Sequence, residues 1–153
     1  MNDRLILTRG HKAWLYGAYG LLTLSGVLWL VFHFFLRGKG EFGDVPHPWQ
    51  PTALQVHGFA AMATLVMLGT LLPGHVRRGW RANKSLRTGV SLLAFNGILA
   101  LTGYGLYYAG GEKLREWTSL VHWVLGLAAP VTLALHVWIG HRARRRPTPS
   151  IRH

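Results

Sequence analysis

Four long apolar runs, none interrupted by Asp, Glu, Lys or Arg, constrain this 153-residue chain more than anything else in it. They are Trp14–Leu36, Pro51–Val76, Thr88–Tyr108 and Trp117–Gly140. A helix needs about 20 residues to cross a hydrocarbon core of about 30 Å, and each run is long enough. The pattern predicts an all-α fold, a transmembrane four-helix up-down bundle forming a single domain over residues 1–153, with a basic tail from 141 to 153. In such a bundle the second and fourth helices run the same way. The first run reads as a span and not a removable leader, because it continues past a short h-region and lacks a small-residue cleavage site.

A net charge of +12 fits poorly with a soluble globule whose residues are half hydrophobic, and it makes sense once sorted by position. Arg4, Arg9 and Lys12 precede the first run, Arg77, Arg78, Arg81, Lys84 and Arg87 fill the second loop, and Arg142, Arg144, Arg145, Arg146 and Arg152 end the chain. The first and third loops hold only Arg37, Lys39, Lys113 and Arg115, offset by Glu41, Asp44, Glu112 and Glu116. Lys and Arg collect on the cytoplasmic side, so both termini are expected in the cytoplasm of a bacterial inner membrane, with loops one and three outside. Topology accounts for the basic residues; membrane lipid is an expected partner and nucleic acid is not. The outer loop from Arg37 to Pro51 carries three prolines and three glycines, which predicts no regular structure and a small cap over the outer mouth.

Histidines inside these spans are the informative residues. His122 and His136 are 14 positions apart on the last helix, which gives a rise of about 21 Å and an offset of only about 40°. His57 and His75 are separated by 18 positions on the second helix, about 27 Å and five full turns. Each pair shares one helix face, with one member near each side of the membrane. A single histidine in a span is commonly a polar helix contact, but ionisable groups in a membrane are costly and mark metals, proton paths or polar partners. His57 lies six residues past Pro51 and His122 six past Glu116, so their depths match. The lower pair is mismatched by about 6 Å. Pro73 and Gly74 precede His75 and can absorb this, while His11 and His141 compete as ligands. Pro130 predicts a mild kink between His122 and His136.

The chain has no cysteine. Disulfides, cysteine-ligated clusters and covalent haem are therefore excluded, and any metal rests on histidine, carboxylate or methionine. Two imidazoles from parallel helices at one depth can grip one haem iron from opposite sides. Gly17, Gly20 and Gly26 on the first helix suit close approach of another helix or of a flat cofactor. His33 falls near the outer haem or the surface, and His47 and His153 are expected in solvent. Arg37, Arg77, Arg78, Lys113, Arg115 and Arg142 are candidates to neutralise haem propionates. The third helix has no histidine, offering Asn96, Thr102, Gly103 and Gly105.

The segment SLVHWVLGLAAPVTLALHVWIG resembles the last haem-binding helix of the membrane cytochrome b subunit of formate dehydrogenase and of bacterial b561-type cytochromes. It has their two-histidine spacing and the glycine four residues after the first, here Gly126. His11 followed by LTLSG, and His57 followed by small residues, also resemble that family. The resemblance implies two non-covalent haem b groups, one on His57 and His122 and one on His136 and His11. The spacing from His11 to LTLSG departs slightly from the family's, and His75 is additional, so His75 and His11 compete for the fourth position. It further implies quinone as substrate and an extracytoplasmic redox protein, such as a c-type cytochrome or a molybdoenzyme, as partner. The chain would be the electron-transfer subunit of an oxidoreductase, and the reading also admits a homo-oligomer.

Three competing classes share part of this pattern. A histidine-lined proton or metal transporter calls for carboxylates within the spans or ligands at a single depth, and the sequence has neither. A non-redox membrane assembly factor leaves the paired histidines unexplained. A ferric-reductase-like haem subunit shares the bundle and differs in its partner.

Overall fold

The computed structural model describes residues 8–73 and 86–145. Four helices make up most of it: α1 (Arg9–Phe34), α2 (Gln50–Leu71), α3 (Leu86–Tyr108) and α4 (Glu112–Arg145). All four are long and apolar enough to cross a membrane, and together they form an all-α bundle.

The helix ends differ from those expected, and local chemistry accounts for each difference. α1 starts ahead of Trp14 because Thr8 caps it, its hydroxyl accepting the His11 backbone N–H at 3.2 Å. Among the described residues α2 runs to Leu71, two residues before Pro73, whose ring and missing N–H disfavour a regular last turn; the expected end at Val76 lies outside the described residues. α4 is longer at both ends. Gly111, at φ 91°, reverses the chain out of α3, and Glu112 then opens α4 with an acid where the helix dipole favours one. At the other end the Arg142 guanidinium lies 5.3 Å over the Trp138 ring, and the helix continues to Arg145. Pro130 is carried inside α4 without breaking it.

The loop after α1 contains regular structure where none was expected. β1 (Gly38–Gly40) and β2 (Gly43–Val45) pair antiparallel, Gly38 opposite Val45 and Gly40 opposite Gly43. The glycines make this possible: Gly43 takes φ 120°, and a Cβ on Gly40 would stand 2.7 Å from Val45 Cγ1. Beyond the hairpin, His47 stacks on Phe32 with ring centroids 4.4 Å apart, so this histidine is half-buried and not solvated. The Trp49 backbone N–H donates to its Nδ1 at 3.2 Å. The cap is thereby tied to α1.

Packing divides the bundle into two hairpins. α1 lies against α2 and α3 against α4, and the two pairs meet more lightly, mainly through α1 and α4. On α2 the buried stripe Ala53, Ala60, Thr64 and Leu71 faces α1, and its small residues let the backbones approach. His57 belongs to the same stripe. Large side chains such as Trp14, Phe59, Met62, Leu101 and Trp138 point outward, the arrangement expected where lipid is the solvent. One buried hydrogen bond crosses between the hairpins: Tyr19 Oη donates to Asn96 Oδ1 at 3.4 Å.

Candidate cofactor site

His57 leaves the small-residue stripe of α2 and meets α1 at Gly26. A Cβ on Gly26 would stand 3.0 Å from His57 Cε1 and 3.2 Å from Nδ1, tighter than the optimal carbon separation of about 3.5–4.0 Å. Only a glycine admits the ring this close. Nδ1 lies 3.0 Å from the Leu22 carbonyl oxygen and 3.3 Å from Ser25 Oγ. Ser25 Oγ donates its own hydrogen to the Leu21 carbonyl at 2.7 Å, and a carbonyl only accepts. Both partners of Nδ1 are therefore acceptors. The proton sits on Nδ1, and the Nε2 lone pair is left for a ligand.

His122 repeats the arrangement on the other hairpin. Its Nδ1 lies 2.9 Å from Thr102 Oγ1. The Thr102 hydroxyl is spent on the Ile98 carbonyl at 2.8 Å, so its oxygen accepts from the ring. A Cβ on Gly103 would stand 3.2 Å from His122 Cε1. The same proton placement follows, again with Nε2 as the bare nitrogen.

Between the hairpins the two rings meet edge to face, with centroids 6.2 Å apart and planes at 80°. Their hydrogen bonds go to their own hairpins and not to one another. A metal–imidazole bond of about 2.0–2.1 Å, plus about 1.1 Å from nitrogen to ring centre, puts two trans imidazoles on one metal about 6.3 Å apart. The spacing of His57 and His122 agrees with that sum. Among the described residues no three His, Cys, Asp or Glu side chains converge. Two opposed neutral imidazoles suit an iron whose equatorial nitrogens arrive with it, as in haem.

His136 defines a second level, 14 residues along α4 from His122. Its Nδ1 lies 3.0 Å from Thr88 Oγ1, and a Cβ on Gly89 would make an ordinary contact, 3.6 Å, with its Cε1. Between the levels stands the Tyr19–Asn96 bridge, its two residues 4% and 7% exposed, with Asn96 Nδ2 donating to the Leu92 carbonyl at 2.8 Å. Tyr19 is six residues from Ser25 and Asn96 six from Thr102, about 9 Å of helix rise in each case.

The other expected residues are spread out. His11 is exposed in the first turn of α1, its Nδ1 2.9 Å from Thr8 Oγ1. It lies 15 residues before Gly26, about 22 Å along α1 and close to the drop from His122 to His136. His75 and Arg77 lie outside the described residues. His33 stacks on Trp29 at 4.6 Å and its Nδ1 is 3.3 Å from Gln50 Nε2, a cluster toward the capped end. Gly17 has open space where a Cβ would be, Gly20 lines an open groove between α1 and α4, and Gly126 faces Leu99 Cδ2 at 3.9 Å as a helix-packing residue. Arg115 is exposed in the first turns of α4.

Sequence reasoning named Gly26, Thr102 and Gly103 without pairing them with histidines, and passed over Ser25, Thr88 and Gly89, which complete the seats of the rings. Ser25-Gly26, Thr88-Gly89 and Thr102-Gly103 are the chain's only serine– or threonine–glycine dipeptides, and each receives a histidine. Thr88 and Thr102 are 14 residues apart, the same step that separates His122 from His136. That shared interval is legible in the sequence. No protein-family model, curated protein or solved structure matches this chain.

Proposed function

We propose that this chain is a di-haem b-type membrane cytochrome, the electron-transfer subunit of an oxidoreductase, carrying electrons between the quinone pool and an extracytoplasmic redox partner. The observation that carries this reading is the His57–His122 pair: opposed rings 6.2 Å apart, each with its Nδ1 held by acceptors on its own hairpin. Such anchoring fixes the tautomer and orientation of a metal-binding imidazole and leaves Nε2 for iron. His57 and His122 would hold one haem. His136, with His75 or His11, would hold the other. A haem held there would supply a one-electron couple.

The rest is done by the chain's own residues. The four spans keep the two levels within lipid, where unpaired ligand nitrogens are costly and a metal partner is favoured. Successive loops alternate in basic charge, which argues for cytoplasmic termini in a bacterial inner membrane and puts the His57–His122 level near the outer face. The resemblance of the His122–His136 helix to the formate dehydrogenase and b561-type cytochrome b subunits supports quinone and an extracytoplasmic redox protein as the two ends of the path.

The test is optical. Full-length protein purified from haem-replete cells is expected to show a reduced b-type α band and two haems per chain by pyridine haemochrome. His57→Ala and His122→Ala are each expected to lose the same one of the two. A protein without the band, or with haem content untouched by both substitutions, overturns the reading.

A further inference from the structure

α3 carries no histidine, yet it touches two of the three histidines of α4, His122 and His136. Thr102 Oγ1 is 2.9 Å from His122 Nδ1 and Thr88 Oγ1 is 3.0 Å from His136 Nδ1. In each case the next residue is the glycine against which the ring rests, with Cβ positions 3.2 Å and 3.6 Å from Cε1. α3 and α4 are antiparallel neighbours, so equal 14-residue steps on the two helices bring both contacts into register. His57 is served differently. Its closer acceptor is the Leu22 carbonyl at 3.0 Å, which no side-chain substitution removes, and Ser25 is farther away at 3.3 Å.

We propose that Thr102 and Thr88 are positioning residues through which α3 sets the electron affinity of the two cofactor levels separately, an inference that rests on the haem reading above. The physical link is the Nδ1–H···O bond, which the commitment of the Thr102 hydroxyl to the Ile98 carbonyl fixes at His122 and which the proposal extends to Thr88 and His136. An imidazole that donates this proton is a more basic ligand. A more basic ligand favours the higher oxidation state of the metal, so removing the acceptor raises the midpoint potential. Thr102 is expected to act at the His122 level alone and Thr88 at the His136 level alone, because the two hydroxyls are 14 residues, about 21 Å, apart. Ser25 is expected to have the smallest effect of the three, since the Leu22 carbonyl goes on accepting from His57.

The experiment is a redox titration of the α band in purified full-length protein, with the two components assigned by their loss in His57→Ala and His136→Ala. Thr102→Val keeps the shape of the side chain and removes the oxygen. It is expected to raise the potential of the His57–His122 component and leave the other in place, and Thr88→Val is expected to do the reverse. Thr102→Ser and Thr88→Ser restore an acceptor and return each component toward its original value. Potentials that do not move, that move together, or that serine fails to restore overturn the proposal. A second readout needs no haem. In 15N-histidine-labelled haem-free protein, the His122 signal is expected to report a protonated Nδ1 that Thr102→Val shifts toward mixed tautomers, and an unchanged signal refutes the positioning role. If the wild type binds no haem, the haem reading fails on that result, and the nitrogen signal still decides the role of Thr102.

Discussion

Alanine at Gly26 would put a methyl carbon 3.0 Å from His57 Cε1 and 3.2 Å from Nδ1. Contacts under 3.4 Å are tight for a Cβ, so the ring has to give by a few tenths of an ångström. The Nδ1 contact to the Leu22 carbonyl, 3.0 Å in the native protein, is then lengthened toward the limit of a hydrogen bond at about 3.5 Å. Loss of such a supporting contact costs about 10–100-fold in metal affinity, which is about 1.4–2.8 kcal/mol. Alanine's better helix propensity, worth about 1 kcal/mol over glycine, helps the fold and does nothing for the ligand. Gly103→Ala, with a 3.2 Å contact to His122, is expected to be somewhat milder. Gly89→Ala, at 3.6 Å from His136, and Gly97→Ala, with nothing within 4 Å, are expected to be near neutral. Haem per chain by pyridine haemochrome, together with the rate of haem loss to a competing apoprotein, measures the series in detergent. The reasoning fails if Gly89→Ala loses as much haem as Gly26→Ala, or if Gly26→Ala retains the wild-type complement.

At the second level, His136→Ala is expected to remove one haem while the His57–His122 component keeps its spectrum, and loss of both components would count against separate sites. Of His75→Ala and His11→Ala, one is expected to reproduce the His136→Ala spectrum and the other to leave it intact, which identifies the fourth ligand. Tyr19→Phe strips the donor from Asn96 Oδ1, and hydrogen bonds between membrane helices are worth about 0.6–1.7 kcal/mol. Unfolding in a rising detergent ratio is expected to come earlier by that amount at unchanged haem content, and an unaltered transition would deny the bridge any share in holding the hairpins together.

The bundle was legible because its determinants are coarse. Uninterrupted apolar length fixes the number of helices, and the 14-residue step from His122 to His136 puts those two on one face of the last helix. His57 and His122 could be matched by counting from Pro51 and Glu116 because both helices run the same way. Helix ends were less legible. Thr8 as a cap, Pro73 as a stop and Gly111 as a reversal each act through a local contact or dihedral that apolar periodicity does not register. The cap loop was misread for a related reason: glycines that usually signal irregular chain here relieve the crowding of a tight hairpin around Val45. The ring seats were hardest to see. Gly17 and Gly20 looked as suitable as Gly26 for close approach, and only the rotation of α1 against α2 brings Gly26 under His57. Thr102 was visible as a polar residue in a span, but its role depends on its hydroxyl hydrogen being committed to the Ile98 carbonyl.

Each ring of the His57–His122 pair is seated on its sequence neighbour: His57 on α1 and His122 on α3. A helical hairpin leaving the insertion machinery thus already has its ligand aimed before the other hairpin has been made. On the proposed function a haem would then meet two preset ligands, one on each hairpin, and its capture would join one half of the protein to the other. Chains made during haem starvation would accumulate as correctly built halves with a loose seam, ready to close when supply returns.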